Sequence, residues 1–312
     1  MKNIKNSNKP SFFKKLFIKI SRKLGYEIID QNNFEIVSSN KKIDENLSTL
    51  GHKSINLPLG EIKITRKVKA LDIIIRTCAS VNMLTQNKSR LFEKEKIEYT
   101  TRTIRSLLNS SKDPDLRQLK INFKVIDHNS TNENLASIEK VFTEFNEKYS
   151  LINLDVSKFI NKIEKTNQRG ESVTDNQISN MANIHQSLLE AKKCEDLIYF
   201  VEDDYIHKKD SLKEMIFTYE RLASQINNEI IICPTDYPYL YAKSEMTQNF
   251  LGQNYHWRKV NETLCTFLTS KKMIEKYWDK YVSMCEKEHA PFEKPLHDIY
   301  EKELCLSPIP SL

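Results

Sequence analysis

Glycine is scarce in this chain. Five occur in 312 residues, at Gly25, Gly51, Gly60, Gly170 and Gly252. Neither a GxGxxG fingerprint nor a GxxxxGK(S/T) phosphate loop can be written with them, which removes the usual dinucleotide and P-loop readings. Any bound nucleotide has to be held by side chains and ordinary loop backbone. Long apolar runs are also missing, so nothing reads as a membrane-spanning helix, and no apolar stretch with a small-residue cleavage site reads as a secretory signal. The six cysteines (Cys78, Cys194, Cys233, Cys265, Cys285, Cys305) form no CxxC pair. That scatter suits reduced thiols in a cytoplasmic protein rather than a disulfide framework or a zinc site. Acidic residues are absent from positions 1–24, which carry eight basic ones (Lys2, Lys5, Lys9, Lys14, Lys15, Lys19, Arg22, Lys23). Without those eight, 40 of the 48 Lys and Arg face 42 Asp and Glu, so the net charge of +6 is local. A basic stripe on the folded body, as nucleic acid requires, is not expected.

What is present starts with an amphipathic pattern from Ser11 to Leu24. Phe12, Phe13, Leu16, Phe17, Ile20 and Leu24 recur at helical spacing, with lysines and Arg22 on the other side and Gly25 as the stop. Such a segment suits either an anionic membrane surface, peripheral on the inner face of the cell membrane, or docking on the protein's own core. Residues 30–68 are polar and read as a linker with one short strand or hairpin, so 1–68 is expected to precede a domain over 69–312.

From Leu71 the pattern alternates. Short apolar runs at Leu71–Ile75, Ile121–Ile126, Leu151–Val156 and Leu197–Val201 are separated by helical patterns near Ile97–Leu108, Asn132–Tyr149 and Asn176–Lys193, with a polar loop over 157–175. Further on, Asp210 is expected to cap a helix to about Leu222. Glu229–Cys233 and Thr263–Leu268 read as strands, and Thr269 or Ser270 caps another helix. The chain closes on Ser307-Pro308-Ile309-Pro310-Ser311-Leu312, read as a loop. Strand and helix in alternation predict an α/β fold with a mostly parallel, Rossmann-like sheet flanked by helices. In such sheets ligands bind outside the carboxyl ends of the strands. Arg76-Thr77, Asp127-His128-Asn129-Ser130 and Glu202-Asp203-Asp204 all lie at such ends. Three adjacent carboxylates repel one another and make sense beside a hard divalent cation, whose open positions accept phosphate oxygens; the plainer reading is a solvated strand end.

The order Ile74-Ile75-Arg76-Thr77, Asp127-His128-Asn129-Ser130, an Asn-containing helix and then Tyr199-Phe200-Val201-Glu202-Asp203-Asp204 resembles the GT-A-type glycosyltransferases related to the family-2 enzymes, over roughly residues 70–305. The resemblance implies a nucleotide-diphosphate sugar donor, a glycan or glycolipid acceptor, and Mn²⁺ or Mg²⁺ on a DXD-type motif. It implies a nucleotide-sugar half over 69–205 and an acceptor half over 206–312. On that pattern Asp204 ligates the metal, Asp203 and Glu202 contact the ribose or a metal-bound water, Arg76 and Thr77 line the nucleotide pocket, and Asp127 and Ser130 meet the base or ribose. An inverting reaction needs a carboxylate base downstream of the motif: Asp298 is the first choice, with Glu293 and Asp236 as alternatives. His207 and His297 are candidates for the metal or diphosphate, and Trp257 for stacking on an acceptor sugar. Departures from the pattern are His128-Asn129-Ser130 in place of Asp-Gly-Ser, and Lys192-Lys193-Cys194 where small residues are usual. A sugar nucleotidyltransferase or a catalytically silent nucleotide-binding scaffold would share the sheet; the first commonly carries a Gly-rich loop after strand one, which Thr77-Cys78-Ala79-Ser80 lacks.

Overall fold

The computed structural model describes residues 12–26, 63–80, 94–242 and 247–312. Contacts divide the chain into two units, Met1–Glu61 and Ile62–Leu312. The first contributes helix α1 (Phe12–Lys23), where Phe12, Phe13 and Phe17 are exposed. The expected linker strand or hairpin falls mainly on residues outside the described ones. The second unit begins at Ile62 and is a single body, with no division near residue 205.

That body is built on β1 (Ala70–Thr77), whose eight residues are all buried. A strand buried on both faces reads as a continuous apolar run because helices cover both sides. It pairs in parallel with β2 (Lys120–Asp127) on one edge and β4 (Leu197–Glu202) on the other. β3 (Tyr149–Asn153) adds in parallel to β2. Beyond β4 lie β8 (Phe267–Ser270), antiparallel to both its neighbours, then β5 (Ile231–Ile232), β9 (Cys305–Ile309), β7 (His256–Lys259) and β6 (Asn249–Leu251). The sheet order is β3-β2-β1-β4-β8-β5-β9-β7-β6. The expected α/β class with a mostly parallel, helix-flanked core is what the structure shows.

Alternation along the pleat sends successive side chains to opposite faces. Ile73 and Ile75 pack with Ile104, Leu107, Phe142, Met215 and Tyr219, from α2 (Lys96–Ser111), α3 (Asn132–Glu144) and α5 (Ser211–Ile226). Ile74 packs with Ile184, Leu188, Met284 and Ile299, from α4 (Asp175–Ala191), α7 (Trp278–Glu286) and α8 (Lys294–Tyr300). Short α6 (Lys271–Lys276) is capped by Ser270, which accepts from the Met273 amide. A reciprocal Thr174–Gln177 capping box starts α4.

Several local expectations are corrected. The helix expected to run to Tyr149 stops at Glu144, and Asn146 turns the chain with φ 51. Asp210 makes no capping bond to α5; its carboxylate accepts instead from the Tyr255 hydroxyl at 3.4 Å. The tail over 305–309 is strand β9 rather than a loop, paired on both edges. Pro308 within it and Pro310 just beyond it hid it, because Pro cannot donate to a ladder. Trp257 is fully buried, so it is core rather than an exposed stacking platform. Its Nε1 donates to Glu214 Oε1 at 3.1 Å. Gly252 is required beside it: a Cβ there would lie 2.3 Å from the indole nitrogen and 2.4 Å from Glu214 Oε1.

Glu214 is itself fully buried. Besides Trp257 it accepts from the amides of Gln253 and Asn254 at 3.0 and 2.9 Å and from the Thr218 hydroxyl at 3.1 Å. Replacing it strands several buried donors at once. Glu214→Ala is expected to lower stability by about 3 kcal/mol, read as a shift of the denaturant midpoint. A loss below about 1 kcal/mol would show that these donors find water or other acceptors.

Candidate functional site

The parallel register places the carboxyl ends of three strands side by side: Arg76 pairs with Glu202 across β1 and β4, and Thr77 with Asp127 across β1 and β2. Above this edge lies a cavity of about 620 Å³. Its walls come from β1 (Arg76, Thr77), the end of β4 (Glu202, Asp203, Asp204), the start of α2 (Lys96), α4 (Asn176, Asn180, Asn183) and the segment before α8 (Glu288, Glu293). Asn176, Asn180 and Asn183 follow i, i+4, i+7 spacing, so α4 turns one amide-bearing face to the cavity.

Each strand-end group has a defined tie. Arg76 is buried and donates to Asn180 Oδ1 at 2.9 Å and to Glu202 Oε1 at 3.0 Å. Glu202 also accepts from the Thr266 hydroxyl at 3.3 Å. Burial raises the Glu202 carboxyl above its ordinary range, with Arg76 opposing and the neighbouring acids adding to the rise. Asp203 is buried between Lys96 Nζ, 2.7 Å from Oδ1, and the Thr100 hydroxyl, 2.9 Å from Oδ2. Asp204 is exposed and lines both this cavity and an adjoining one of about 280 Å³ with Tyr205, Thr235 and Tyr237.

Two expected residues stand just behind the cavity wall. Asp127 accepts from Thr77 Oγ1 at 2.7 Å, Ser130 Oγ at 2.6 Å and the Ser130 amide at 3.1 Å. Ser130 Oγ accepts in turn from the Ala79 amide at 2.9 Å. Both carboxylate oxygens are thereby engaged in bracing the turn after β2 to the end of β1, and His128 lines the cavity in that stretch.

The downstream acids separate sharply. Glu293 lines the cavity. It precedes α8 without capping it, and Cys265 Sγ lies 4.0 Å from its Oε1. Burial, with nearby Glu202 adding, raises its carboxyl above the ordinary range. Asp298 is outside the cavity, bonded to Lys280 Nζ at 2.6 Å, and that lysine holds it below the ordinary carboxylate range. Asp236 is also outside, paired with Arg258 and accepting from the Tyr241 hydroxyl at 2.6 Å. Neither His207 nor His297 lines the main cavity, although His207 lines the adjoining one. His207 is buried, with Nε2 2.6 Å from the Tyr199 hydroxyl, and burial lowers its pKa to about 4, leaving it neutral. His297 Nε2 lies 3.3 Å from the Thr263 carbonyl oxygen.

The family resemblance implies a divalent ion, and the donor set tests it. Among the described residues no group of three His, Cys, Asp or Glu could hold a metal. Asp203 is engaged by Lys96 and Thr100, and Glu202 by Arg76 and Thr266. Asp204 is the most exposed of the three and lines the cavity together with them. One carboxylate suits an ion whose other ligands are phosphate oxygens and water, as Mg²⁺ commonly takes them. The protein alone therefore does not complete a metal site among the described residues, and an ion there would take its remaining ligands from substrate and water.

Sequence reasoning did not single out Lys96, Asn176, Asn180, Asn183 or Glu288. The amide stripe of α4 was readable as i, i+4, i+7 spacing behind Thr174; Lys96 sits in a run of alternating charge that gives no sign of its inward course.

No family model and no curated protein match the chain. Among solved structures, S. aureus TarS in complex with UDP matches with a TM-score of 0.38 and 14% identity over 69% of this chain and 54% of that one. LgtC gives 0.39 and 13% over 69% and 64%. The mannosyltransferase PcManGT from Pyrobaculum calidifontis, in complex with GDP-Man and Mn²⁺, gives 0.37 and 10% over 73% and 56%. This chain thus spans less than two thirds of the length of each. The architecture is an α/β sheet whose parallel core, β3-β2-β1-β4, continues through antiparallel β8 beside the acid-tipped β4 and ends in the antiparallel pairings of β9, β7 and β6.

A raised carboxyl pKa makes the native state bind protons more tightly than the unfolded chain. Stability from Glu293 is therefore full below the ordinary Glu value of 4.5 and is lost as pH rises through its higher native value. Glu293→Gln removes that loss. The variant is expected to melt higher than the parent at pH 7, with the gap closing as pH falls toward 4.5. A gap independent of pH, or a less stable variant at pH 7, would contradict the assigned burial.

Proposed function

We propose that the chain is a glycosyltransferase that moves a sugar from a nucleoside-diphosphate donor to a hydroxyl of a glycan or glycolipid, with inversion at the transferred carbon. The observation that carries this reading is the convergence, in one cavity, of an acidic strand end, two cationic side chains and a separate half-buried carboxyl, Glu293. Phosphate and base chemistry are thereby supplied from different walls. The cytoplasmic, cell-surface-polysaccharide setting belongs to the same proposal.

In this reading the nucleotide lies over the ends of β1 and β2, with Thr77, His128 and the α4 amides as its hydrogen-bonding wall. Asp204 would hold a divalent ion, which when bound would supply positive charge against the negative charge gathering on the leaving nucleoside diphosphate. Arg76, held by Asn180 and Glu202, keeps a fixed positive charge at the cavity wall. Glu293 takes the proton of the acceptor hydroxyl. Its raised pKa moves it toward the operating pH, where a general base is most effective. The adjoining cavity beyond Asp204, with the Tyr205 and Tyr237 hydroxyls 2.9 Å apart, is the route we assign to the acceptor. Asp298 and Asp236 take no part, because each is committed to a cation away from the cavity.

Helix α1 fits the same picture. Its exposed phenylalanines and the acid-free stretch 1–24 suit the surface of an anionic membrane, where the acceptor lipid would lie. The full chain is expected to cosediment with phosphatidylserine vesicles and to lose that binding when Phe13 and Phe17 are both changed to Asp; equal sedimentation of the two proteins would remove this part.

The decisive test is nucleotide protection followed by transfer. UDP, GDP, CDP and dTDP, each with Mn²⁺, are screened by thermal unfolding, since a ligand that binds the native state raises stability. One is expected to raise the melting temperature by several degrees. Asp204→Asn should lose the metal-dependent part of that shift. Glu293→Gln should keep donor binding and lose transfer by about 100-fold or more. No shift with any nucleotide would sink the transferase reading, and full turnover by Glu293→Gln would move the base elsewhere. Release of inorganic diphosphate from a sugar phosphate and a nucleoside triphosphate would mark a nucleotidyltransferase instead.

A further inference from the structure

The least expected residue of the cavity is Lys96. Its side chain is 14% exposed and its ammonium lies 2.7 Å from Asp203 Oδ1. Four residues on, Thr100 reaches the other oxygen of the same carboxylate at 2.9 Å. One face of α2 therefore grips Asp203 at both oxygens. Asp203, 5% exposed, thus has each oxygen tied to α2, although it lines the cavity. The middle acid of the triplet serves the protein rather than the ligand.

The converse holds for the lysine. An ammonium carries three N–H donors. Asp203 takes one, and among the described residues it is the acidic partner of this ammonium. Arg76 is placed differently, since both ends of its guanidinium are tied, one to Asn180 and the other to Glu202. Arg76 is 7% exposed and held at two of its N–H groups, whereas the Lys96 ammonium lines the cavity from the α2 side and shows one ion pair, with Asp203. A lysine acts there as a compact point charge, the form in which lysines commonly bind phosphate.

We propose that Lys96 is a ligand of the donor's diphosphate, held in place by Asp203, and that the site therefore carries part of its phosphate-binding charge in the protein itself. The inference rests on the nucleotide-sugar reading above. It reassigns Asp203 from ligand contact to positioning residue. It also divides the charge on the diphosphate between a divalent ion at Asp204 and the ammonium on the α2 side. Nucleoside diphosphates should then be distinguished from monophosphates even when divalent ions are chelated.

The test is calorimetric titration of the full chain in EDTA with four pairs: UDP and UMP, GDP and GMP, CDP and CMP, dTDP and dTMP. For the pair that carries the right base, the parent is expected to bind the diphosphate about tenfold or more tightly than the monophosphate. In Lys96→Met that preference should fall to about twofold or less, and Lys96→Arg should restore most of it, because the charge and its reach are retained. If circular dichroism shows Lys96→Met to be unfolded, Lys96→Gln is read in its place, since its amide can still donate to Asp203. An undiminished preference in the folded variant overturns the role of Lys96 while leaving the transferase reading intact. A parent that shows no preference in EDTA but acquires one with Mn²⁺ does the same. A parent that binds no nucleotide with or without Mn²⁺ overturns both.

Discussion

Pairing of β1 with its two parallel neighbours sets where every functional group can be. Because Arg76 sits opposite Glu202 and Thr77 opposite Asp127, the polar ends of strands far apart in sequence finish on one line. The driving force lies below that line, in eight buried residues of β1 covered by helices on both faces. A shift of register by one residue would turn Ile73 and Ile75 toward the wrong helices. It would also break the contact between Arg76 and Glu202. The apolar pleat and the charged crevice are fixed by one geometric fact, and neither can be altered alone.

Within the crevice, opposite charges are arranged in short ties rather than left to solvent. Glu202 and Asp203 each face a cation and a threonine hydroxyl. Isolated buried charges cost several kcal/mol, and a partner with further hydrogen bonds is what offsets the cost. Burial raises the Glu293 carboxyl above its ordinary range, as it does Glu202, without a cation or hydroxyl tie like those of Glu202.

The sheet was legible because its strands are short apolar runs that end in polar clusters. The acidic triplet was legible for the same reason. What escaped reading depends on direction in space. Glu293 and Asp298 are five residues apart near one short helix. At about 100° per residue they point about 140° away from each other, so one faces the cavity and the other faces Lys280. Spacing could have warned of the divergence, but it could not say which faced in. Trp257 and His207 look in sequence like exposed ligand contacts; burial against Glu214 and Tyr199 is a property of the closed sheet, invisible along the chain. Strand β9 was masked by Pro308 within it and Pro310 just beyond it, and Lys96 by the charged residues around it.

The position of β9 has a bearing on how the protein assembles. It lies between β5 and β7, and the β6–β7 hairpin joins the sheet through it. Residues near 250 thus have no sheet to pair with until residues near 305 have been made and laid down. Nonlocal strand pairing of this kind is slow to form. During synthesis one edge of β5 and the hairpin's inner edge stay open together, and unpaired edges are where chains stick to one another. The β5–β9–β7–β6 side of the sheet is therefore the side that closes last.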